Sequence, residues 1–251
     1  MKLAQERGTG TNLTTEQYDK LREDTLNAVV GSLPGSECPL CRNRGYIALV
    51  KDGMVSTHEC SCMDARRSVE RLDKSGLSGL LQDCTFASFK AQEQWQKDAK
   101  QKAMEYAENP SNAWFVACGS VGGGKTHLCT AICGELLAKG KFVRYMLWRD
   151  ESVSLKAAVN DTDYEALIKP LKNCQVLYID DLFKGGATEA DKKLAFEILN
   201  SRYNRGVATI ISTEKTPEEL LAIDEAVGSR IWQRSKGDCV VITGQHNYRM
   251  R

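Results

Sequence analysis

A run of glycines that ends in a lysine and a threonine has the spacing of a phosphate-binding loop. The run is Gly119-Ser-Val-Gly-Gly-Gly-Lys-Thr126 and fits the pattern G-x-x-x-x-G-K-[ST]. Glycines allow the backbone to turn its N–H groups inward around an anion at the start of a helix. In such a loop Lys125 reaches the β- and γ-phosphates of a nucleotide, and the Thr126 hydroxyl ligates Mg²⁺. Unless the run is only a glycine-rich turn, the residues that bind the nucleotide are Gly119, Ser120, Val121, Gly122, Gly123, Gly124, Lys125, Thr126 and His127.

Two adjacent aspartates at the end of an apolar run could complete this site. The run is Val176-Leu-Tyr-Ile-Asp-Asp181, and its apolar part predicts a buried strand. The carboxyl edge of that strand would carry both carboxylates to the phosphates. Asp180 would hold the magnesium shell, and Asp181 would orient the attacking water, which favours a hydrolase over a kinase. The alternative is that the two aspartates only cap a helix.

Four cysteines near the N-terminus have the spacing of metal ligands. They form the pairs Cys38-x2-Cys41 and Cys60-x-Cys62, one at each end of a predicted β-hairpin. The hairpin would fold the second pair back onto the first, and four thiolates complete the tetrahedral shell of a structural zinc site. His58 is a possible alternative ligand, and four unrelated cysteines are the alternative to a metal site. We expect one zinc ion per chain.

The composition narrows the class of protein. The chain has 251 residues, of which 42% are hydrophobic and 27% charged, and this composition excludes wholesale disorder. No apolar run approaches the ~20 residues of a membrane helix, and the N-terminus does not have the pattern of a signal peptide. The cytosol is therefore the expected compartment, where disulfides are uncommon. Six further thiols are then expected to be core residues: Cys84, Cys118, Cys129, Cys133, Cys174 and Cys239.

The charge balance limits how the chain could bind DNA. There are 34 lysines and arginines against 33 acidic residues, a formal net charge of +1. Such a chain cannot be held on DNA by bulk charge, so contact requires a local basic strip or an assembly that aligns several strips. The candidates are Lys184, Arg202, Arg205 and Lys215, although such residues are more often solvated surface residues than DNA contacts.

Three segments together resemble a known family. The phosphate loop, the segment Leu177-Tyr-Ile-Asp-Asp-Leu-Phe-Lys184 and the cysteine pairs resemble the DnaC/IstB-type AAA+ ATPases, above all the DnaC- and DnaI-like helicase loaders of phages and Gram-positive bacteria. The resemblance covers the chain from about Gly31. It implies an α/β fold, a P-loop AAA+ αβα core with a five-stranded parallel sheet, preceded by a small zinc-binding N-terminal module. It also implies that ATP and Mg²⁺ bind at the junctions between subunits of a hexamer or helical oligomer.

The resemblance implies further site residues. After the fourth strand the family has a polar sensor, often Asn, and this chain has Thr213 and Glu214 there. Arg234, or else Arg230, matches the arginine finger that reaches the γ-phosphate of a neighbouring subunit. Arg249 resembles the second sensor arginine, which contacts phosphate in its own subunit.

The second acid departs from the usual AAA+ residue. Most AAA+ proteins have Glu where this chain has Asp181. The side chain is one methylene shorter, which draws the carboxylate back, so we expect slow hydrolysis.

The elements that would position these residues follow from hydrophobic periodicity. A helix is predicted from Thr15 to Val30, with a capping box of Thr14 and Gln17 and an apolar side made of Leu21, Leu26 and Val29–Val30. Asp52-Gly53 predicts the turn of a hairpin with strands 46–50 and 54–58, followed by a charged helix over 64–74. From residue 91 onward, helices alternate with strands, which predicts a parallel sheet covered on both faces. The predicted strands are 113–118, 142–147, 175–179, 208–212 and 239–242, and the predicted helices are 92–107, 125–138, 163–169, 189–203 and 217–222.

The leading functional hypothesis is an ATP-dependent loader of a replicative helicase. Residues 1–80 would form the partner-binding zinc module and residues 81–251 the ATPase domain. The first would grip a DnaB/DnaC-type helicase ring, and the second would bind single-stranded DNA when assembled. One alternative is an IstB-like transposition helper that acts on duplex DNA with a transposase. Another is a nucleotide-gated adaptor without productive turnover.

Overall fold

The chain folds into two compact units. The structure, a computed structural model, describes residues 13–35, 37–74, 78–110 and 113–243. The units comprise Met1–Met63 and Asp64–Arg251. This division falls before most of the charged helix that begins at Cys62, whereas the sequence predicts a boundary near residue 80. Among the described residues, no helix combines the length and the apolar character needed to cross a bilayer.

The first unit is one helix and one hairpin. Helix α1 spans Thr15–Ala28, and strands β1 (Tyr46–Lys51) and β2 (Met54–Glu59) pair in antiparallel fashion. The predicted capping box is confirmed, because Thr14 and Gln17 bond each other's backbone N–H groups. The hairpin turn is also as predicted, since Asp52 and Gly53 both have positive φ, 51° and 76°, as a two-residue type I′ turn requires.

Helix α1 is attached to the hairpin by polar side chains. Asp19 accepts a hydrogen bond from the Gly53 N–H (3.1 Å), and Glu23 accepts one from the Val50 N–H (3.2 Å). Asn27 accepts one from the Ala48 N–H (3.0 Å) and donates one to the Ala48 carbonyl (2.9 Å). These side chains recur every fourth residue and so lie on one helix face. They satisfy backbone groups of the hairpin turn and of the open edge of β1.

Of the apolar side predicted for α1, Leu26 is half-buried, but the other residues do not pack. Leu21 is 57% exposed, and Val29 and Val30 are 60% and 59% exposed. The sequence prediction was wrong here because it assumed that apolar residues make the contact, whereas the strand edge requires hydrogen-bonding partners. Helix α1 also ends at Ala28, before the predicted Val30.

The second unit is a three-layer αβα sandwich. Its five strands form a parallel sheet in the order β4-β5-β6-β3-β7. The strands are β3 (Trp114–Gly119), β4 (Val143–Leu147), β5 (Val176–Asp180), β6 (Ala208–Thr213) and β7 (Cys239–Ile242). The helices are α2 (Cys62–Lys74), α3 (Ser78–Asp83), α4 (Gln94–Glu108), α5 (Lys125–Ala138), α6 (Trp148–Ala157), α7 (Tyr164–Asn173), α8 (Glu189–Arg205), α9 (Pro217–Ile223) and α10 (Glu225–Arg234).

Alternate strand residues enter two separate cores. Phe115 and Ala117 of β3 pack with α4 and α5 in one core. Trp114 and Val116 pack with α7, α8 and α10 in the other. This alternation is the period of a β-strand, and it explains why the strands of a doubly covered sheet are apolar throughout. Strands β3 and β5 both flank β6, so the loops that follow them meet at one edge of the sheet.

In the second unit, one helix is clearly longer than predicted and two helices were not predicted. Helix α7 was predicted to end at Lys169, yet it continues through Pro170 to Asn173. Leu171 is buried, and the fully buried Arg202 donates hydrogen bonds to the carbonyls of Leu171 (2.9 Å) and Cys174 (3.0 Å). This burial and these bonds offset the backbone bond that proline cannot make. The sequence also predicts no helix over 78–83 or 148–157, where α3 and α6 lie.

Candidate nucleotide and metal sites

The phosphate loop is shaped by glycines at positions where no side chain fits. Gly119 has φ 104°, and a Cβ atom there would lie 2.1 Å from the carbonyl oxygen of Ile242 on β7. The Ser120 N–H donates to the same oxygen (2.9 Å). At the other end of the loop Gly124 caps α5 with φ 84°. The loop is thus pressed against the end of β7 and opens at the N-terminus of a helix, the geometry that favours anions.

Lys125 is held inside this loop. Its side chain is buried, and its ammonium group donates to the carbonyls of Gly119 (2.9 Å) and Ser120 (2.7 Å). Burial lowers the pKa of Lys125, and the nearby carboxylates of Glu214 and Asp181 oppose that effect. The cation therefore lies beside the anion nest with carbonyl partners that a phosphate could replace.

Asp180 lies opposite the loop and is surrounded by hydroxyl donors. Its Oδ1 accepts from Thr126 (3.2 Å), from Tyr178 (2.7 Å) and from Ser212, and its Oδ2 accepts from Tyr145 (3.1 Å). Burial, with the Asp180 charge as a further cause, raises the pKa of both tyrosines, which stay protonated donors. The Thr126 hydroxyl and the Asp180 carboxylate are oxygen ligands of the kind that Mg²⁺ prefers, so the pair fits the predicted magnesium site.

The tyrosines and the serine were not predicted from the sequence. Tyr178 had a recognisable signal, because it precedes Asp180 by two positions and therefore shares its face of the strand. Tyr145 and Ser212 come from neighbouring strands and had no local signal. Ser212 also accepts a hydrogen bond from the Asp181 N–H (2.9 Å) and so joins the two acids.

Asp181, the second acid, is paired with a lysine. Lys184 donates to Asp181 Oδ2 (2.6 Å) and lies 3.5 Å from Glu214 Oε1. The hydrogen bond with Asp181 raises the pKa of Lys184. Of the two sensor alternatives, Glu214 lines the cavity, whereas the fully buried Thr213 donates its hydroxyl to the Leu182 carbonyl (2.7 Å). Thr213 therefore points into the protein and away from the nucleotide cavity.

These residues enclose one cavity of about 320 Å³. Leu80 and Cys84, from α3 and the residue after it, form a wall that the sequence analysis does not include. His127 lines the cavity and lies edge-on to the ring of Phe89, with its Nε2 2.9 Å from the Thr85 carbonyl. Within the described part of the chain, the cavity is lined by Leu80, Cys84, Val121, Gly122, Gly124, Lys125, Thr126, His127, Asp181, Lys184 and Glu214.

The predicted finger arginines lie elsewhere in the unit. Arg230 and Arg234 stack on the Tyr203 ring of α8 at 5.5 and 4.8 Å, and Arg230 also stacks on Phe196 at 4.9 Å. Helices α8 and α10 pack in the core on the face of the sheet opposite to α5. Neither arginine is among the residues that line the cavity. Arg249 lies outside the described residues.

Two of the DNA-contact candidates have roles inside the fold. Arg202 is fully buried and bonds backbone carbonyls, so it cannot contact DNA, and that hypothesis was wrong. Burial lowers the pKa of Arg202, but the group remains a cation because the reference value is so high. Lys184 belongs to the nucleotide cavity. Arg205 is exposed and Lys215 half-buried.

The four predicted zinc ligands form one cluster. The sulfur atoms of Cys38, Cys41, Cys60 and Cys62 all lie within 4.8 Å of one another, and His58 is not part of the group. The Sγ–Sγ distance is 3.8 Å between Cys38 and Cys60 and 3.5 Å between Cys41 and Cys62. A tetrahedral ion with Zn–S bonds of ~2.3 Å separates its sulfurs by ~3.8 Å. The donor set therefore fits a structural zinc site.

The pKa of one thiol in this cluster, Cys41, is lowered. Burial alone would raise the pKa of Cys41, but the Gly45 N–H, 3.4 Å from its sulfur, and the neighbouring thiols outweigh burial and lower the pKa to about 6. Such N–H donors stabilise the thiolate that a metal requires. Of the other six cysteines, Cys84 and Cys239 are half-buried and the rest are buried, as expected for core residues.

Comparison with solved structures confirms the predicted fold. The crystal structure of a DnaC helicase loader superposes with a TM-score of 0.60 at 23% identity, covering 65% of this chain and 98% of that one. A structure of the replication initiator DnaA bound to AMPPCP and single-stranded DNA has a TM-score of 0.56 at 23% identity, covering 64% of this chain and 50% of that one. The five-stranded parallel sheet is that of the DnaC and DnaA AAA+ proteins.

Sequence comparison identifies the family. The phage-like element PBSX protein XkdC of Bacillus subtilis is 30% identical over 83% of both chains. The replicative helicase loader DnaC of Escherichia coli is 29% identical over 74% of this chain and 78% of its own. The profile of the IstB-like ATP binding proteins matches residues 44–251, which include the phosphate loop and both acids. The chain therefore belongs to the IstB-like family of ATP-binding proteins.

Proposed function

We propose that this protein loads a ring-shaped replicative helicase onto single-stranded DNA in the bacterial cytoplasm, in a cycle driven by slow ATP hydrolysis. The observation that carries the proposal is the presence in one chain of an AAA+ nucleotide site and a separate unit whose helix exposes apolar residues. The name of the E. coli relative, a replicative helicase loader, agrees with this function. The DnaA structure bound to a nucleotide analogue and single-stranded DNA is a precedent for the two ligands on this fold.

The chemistry follows from the donors around the cavity. Lys125 and the loop N–H groups bind the phosphates, Thr126 and Asp180 hold Mg²⁺, and Asp181 orients the attacking water. Mg²⁺, when bound, neutralises charge on the β- and γ-phosphates. The hydrogen bonds that Asp180 receives from Tyr145, Tyr178 and Ser212 hold its carboxylate in place. Turnover is slow because the Asp181 side chain is one methylene shorter than the usual Glu, which draws its carboxylate back from the attacking water.

The exposed face of α1 is the proposed helicase contact. Tyr18 and Leu21 are 59% and 57% exposed, and Leu13, Val29 and Val30 are exposed beyond the helix ends. Tyr18 and Leu21 are three residues apart on the face opposite to the Asp19–Glu23–Asn27 stripe that bonds β1. An amphipathic helix with its polar side engaged and its apolar side free is suited to an apolar groove on a partner. The Cys38–Cys62 zinc site would hold the hairpin that supports the helix.

A substitution on this face tests the helicase contact in the full-length protein. Tyr18→Glu combined with Leu21→Glu should abolish co-purification with the host replicative helicase and leave ATPase activity unchanged. Val159→Glu, at a residue of the second unit that is 52% exposed, is the matched control and should keep the complex. Lys125→Ala should keep the complex and lose ATP hydrolysis. A wild-type protein that hydrolyses ATP but forms no helicase complex would contradict the proposal.

The family name gives the second candidate its support. A transposition helper of the IstB type would prefer duplex DNA and bind a transposase. Competition between single-stranded and duplex DNA in the presence of ATP separates the two functions, because only the loader should prefer the single strand. An adaptor without turnover would bind ATP and partner but release no phosphate in the same assay.

A further inference from the structure

The turn after Asp180 has an unusual backbone conformation. Asp181 and Phe183 both have φ 58°, a left-handed conformation that non-glycine residues seldom adopt. Phe183 and the intervening Leu182 are fully buried, and the Phe183 ring lies edge-on to Trp148 at 5.5 Å. The Leu182 N–H donates to the Ser212 carbonyl (2.9 Å). Such strain persists only where the surroundings impose it, and it is concentrated at functional sites.

The turn carries Lys184 into the nucleotide cavity. The Lys184 N–H donates to the Asp181 carbonyl (3.0 Å), which closes the turn. Its ammonium group then lies between two carboxylates, 2.6 Å from Asp181 Oδ2 and 3.5 Å from Glu214 Oε1. The three side chains are 36%, 20% and 28% exposed, and all three line the same cavity as Lys125 and Thr126.

Electrostatics explain why a cation is needed here. A nucleoside triphosphate is a polyanion, and the cavity proposed to bind it is lined by the Glu214 carboxylate. Two like charges a few ångströms apart repel strongly in a partly desolvated site. Lys184 is the cation in contact with Glu214, and Lys125 lies deeper, on the loop carbonyls. The positive charge of Lys184 would therefore screen a terminal phosphate in the cavity from the Glu214 carboxylate.

We propose that Lys184 binds the terminal phosphate of ATP and makes the site distinguish ATP from ADP, with Glu214 as the residue that positions it. Asp181 and Glu214 hold the ammonium group in the free protein. When ATP binds, the γ-phosphate replaces Asp181 as a partner of Lys184 and leaves the Asp181 carboxylate free for water. This inference rests on the proposed ATPase function and adds a residue that reads the nucleotide state.

Equilibrium binding of fluorescent ATP and ADP analogues to the full-length protein tests this role. Lys184→Met should weaken ATP binding about tenfold or more, the value of one charge-assisted hydrogen bond, and change ADP binding little. Lys192→Met is the matched control, because Lys192 forms a similar i,i+3 ion pair with Glu189 (2.7 Å) and does not line the cavity. It should leave both affinities unchanged. Lys184→Gln provides a second neutral variant should the Met protein fold poorly.

A double substitution tests the part assigned to Glu214. In Lys184→Met the Glu214 carboxylate repels the γ-phosphate without compensation, so adding Glu214→Gln should restore part of the ATP affinity. Glu214→Gln alone should raise the ATP affinity less than it does in the Lys184→Met background, or should lower it, because Lys184 then loses the carboxylate that positions it. Equal effects of Glu214→Gln in both backgrounds would overturn the positioning role.

The failure of this inference is distinguishable from failure of the ATPase function. A wild-type protein that binds neither nucleotide, or a Lys125→Ala variant that binds both normally, would refute the ATP site itself. A wild-type protein that binds ATP, together with Lys184 variants that keep the wild-type ratio of ATP to ADP affinity, would refute only the role of Lys184. Loss of single-stranded DNA binding in Lys184→Met, with nucleotide affinities unchanged, would also overturn it and make Lys184 a DNA contact.

Discussion

At the scale of single residues, the Asp180 carboxylate depends on hydroxyl groups from three strands. Tyr178 shares its strand, Tyr145 comes from β4, and Ser212 from β6. Several hydroxyl donors fix the direction in which a carboxylate points. The residues that orient the Asp180 carboxylate therefore lie outside the phosphate-loop and Asp180-Asp181 motifs.

Removal of the tyrosine hydroxyls should weaken the magnesium site. Tyr178→Phe or Tyr145→Phe deletes one hydrogen bond to a charged group, worth about 1.5–3 kcal/mol, and should raise the Mg²⁺ concentration needed for half-maximal ATPase activity about tenfold. Tyr164→Phe is the control, because Tyr164 donates to Glu197 (2.6 Å), and neither residue lines the cavity. If the Mg²⁺ requirement is the same in all three variants, the tyrosines do not position Asp180.

Arg202 should be essential to folding. Arg202→Met would leave the carbonyls of Leu171, Cys174 and Ala208 without their donor in a buried place, and such losses cost about 3–5 kcal/mol. Urea denaturation should show this loss, whereas the exposed neighbour Arg205→Ala should change stability by less than about 0.5 kcal/mol. A stable Arg202→Met protein with weakened DNA binding would instead restore Arg202 as a DNA contact.

At the scale of secondary structure elements, the hairpin and α1 depend on the cysteine cluster. Among the described residues of the first unit, the buried hydrophobic ones are Cys41, Ala48, Val50 and Cys60, too few for an independent core. We expect elemental analysis of the purified protein to give one zinc per chain. Chelation should make the segment 13–63 sensitive to protease while the ATPase unit stays resistant. Protein without metal whose four thiols all react freely would contradict the zinc site.

The cluster should also make the first unit sensitive to acid. Zinc displaces protons from thiols, so its affinity falls as the pH falls. In the metal-free fold the pKa of Cys41 is about 6, below its ordinary value of 9.0. A lowered pKa stabilises the fold fully above the unfolded value, and this contribution is lost as the pH falls towards 6. Protease resistance of segment 13–63, measured between pH 9 and 6, should therefore decline steadily.

Helices α9 and α10 pack closely because Gly228 has no side chain. A Cβ atom there would lie 2.7 Å from the backbone nitrogen of Leu221. Gly228→Ala should therefore force α9 and α10 apart and cost about 1–3 kcal/mol. Gly134→Ala in α5 is the matched control, since a Cβ there meets nothing within 4 Å, and it should stabilise the protein by about 0.5–1 kcal/mol. Thermal denaturation of both variants measures the contrast, and equal shifts would show that the approach is not tight.

At the scale of the whole molecule, the ATP site is proposed to be completed by a neighbouring subunit. The arginines on α10 pack on the face of the sheet opposite to the phosphate-loop helix. Arg234→Ala and Asp180→Asn should each inactivate ATP hydrolysis. A mixture of the two should recover part of the activity, because one subunit keeps the finger and the other keeps the site. No recovery on mixing, at concentrations where the wild type is active, would contradict a finger that acts between subunits.

Much of this molecule is determined by local sequence. The glycine spacing of 119–126, the Asp-Gly turn at 52–53, the capping box at Thr14 and the alternation of strands and helices all depend on neighbours within one turn or strand, so they could be predicted without a fold. The pairing of Cys38 and Cys41 with Cys60 and Cys62 was also predictable, because a single hairpin joins them.

Only the tertiary structure decided the rest. Tyr145 and Ser212 meet Asp180 because parallel strands β4, β5 and β6 lie side by side, and Lys184 meets Glu214 because the turns after β5 and β6 share one sheet edge. The buried Arg202 and the polar attachment of α1 arise in the same way, from backbone groups of distant segments that need partners. Hydrophobic periodicity and turn residues depend on the local chain, so they indicate the element in which a residue lies. They do not indicate which other element packs against it, because that contact is formed between segments distant in sequence.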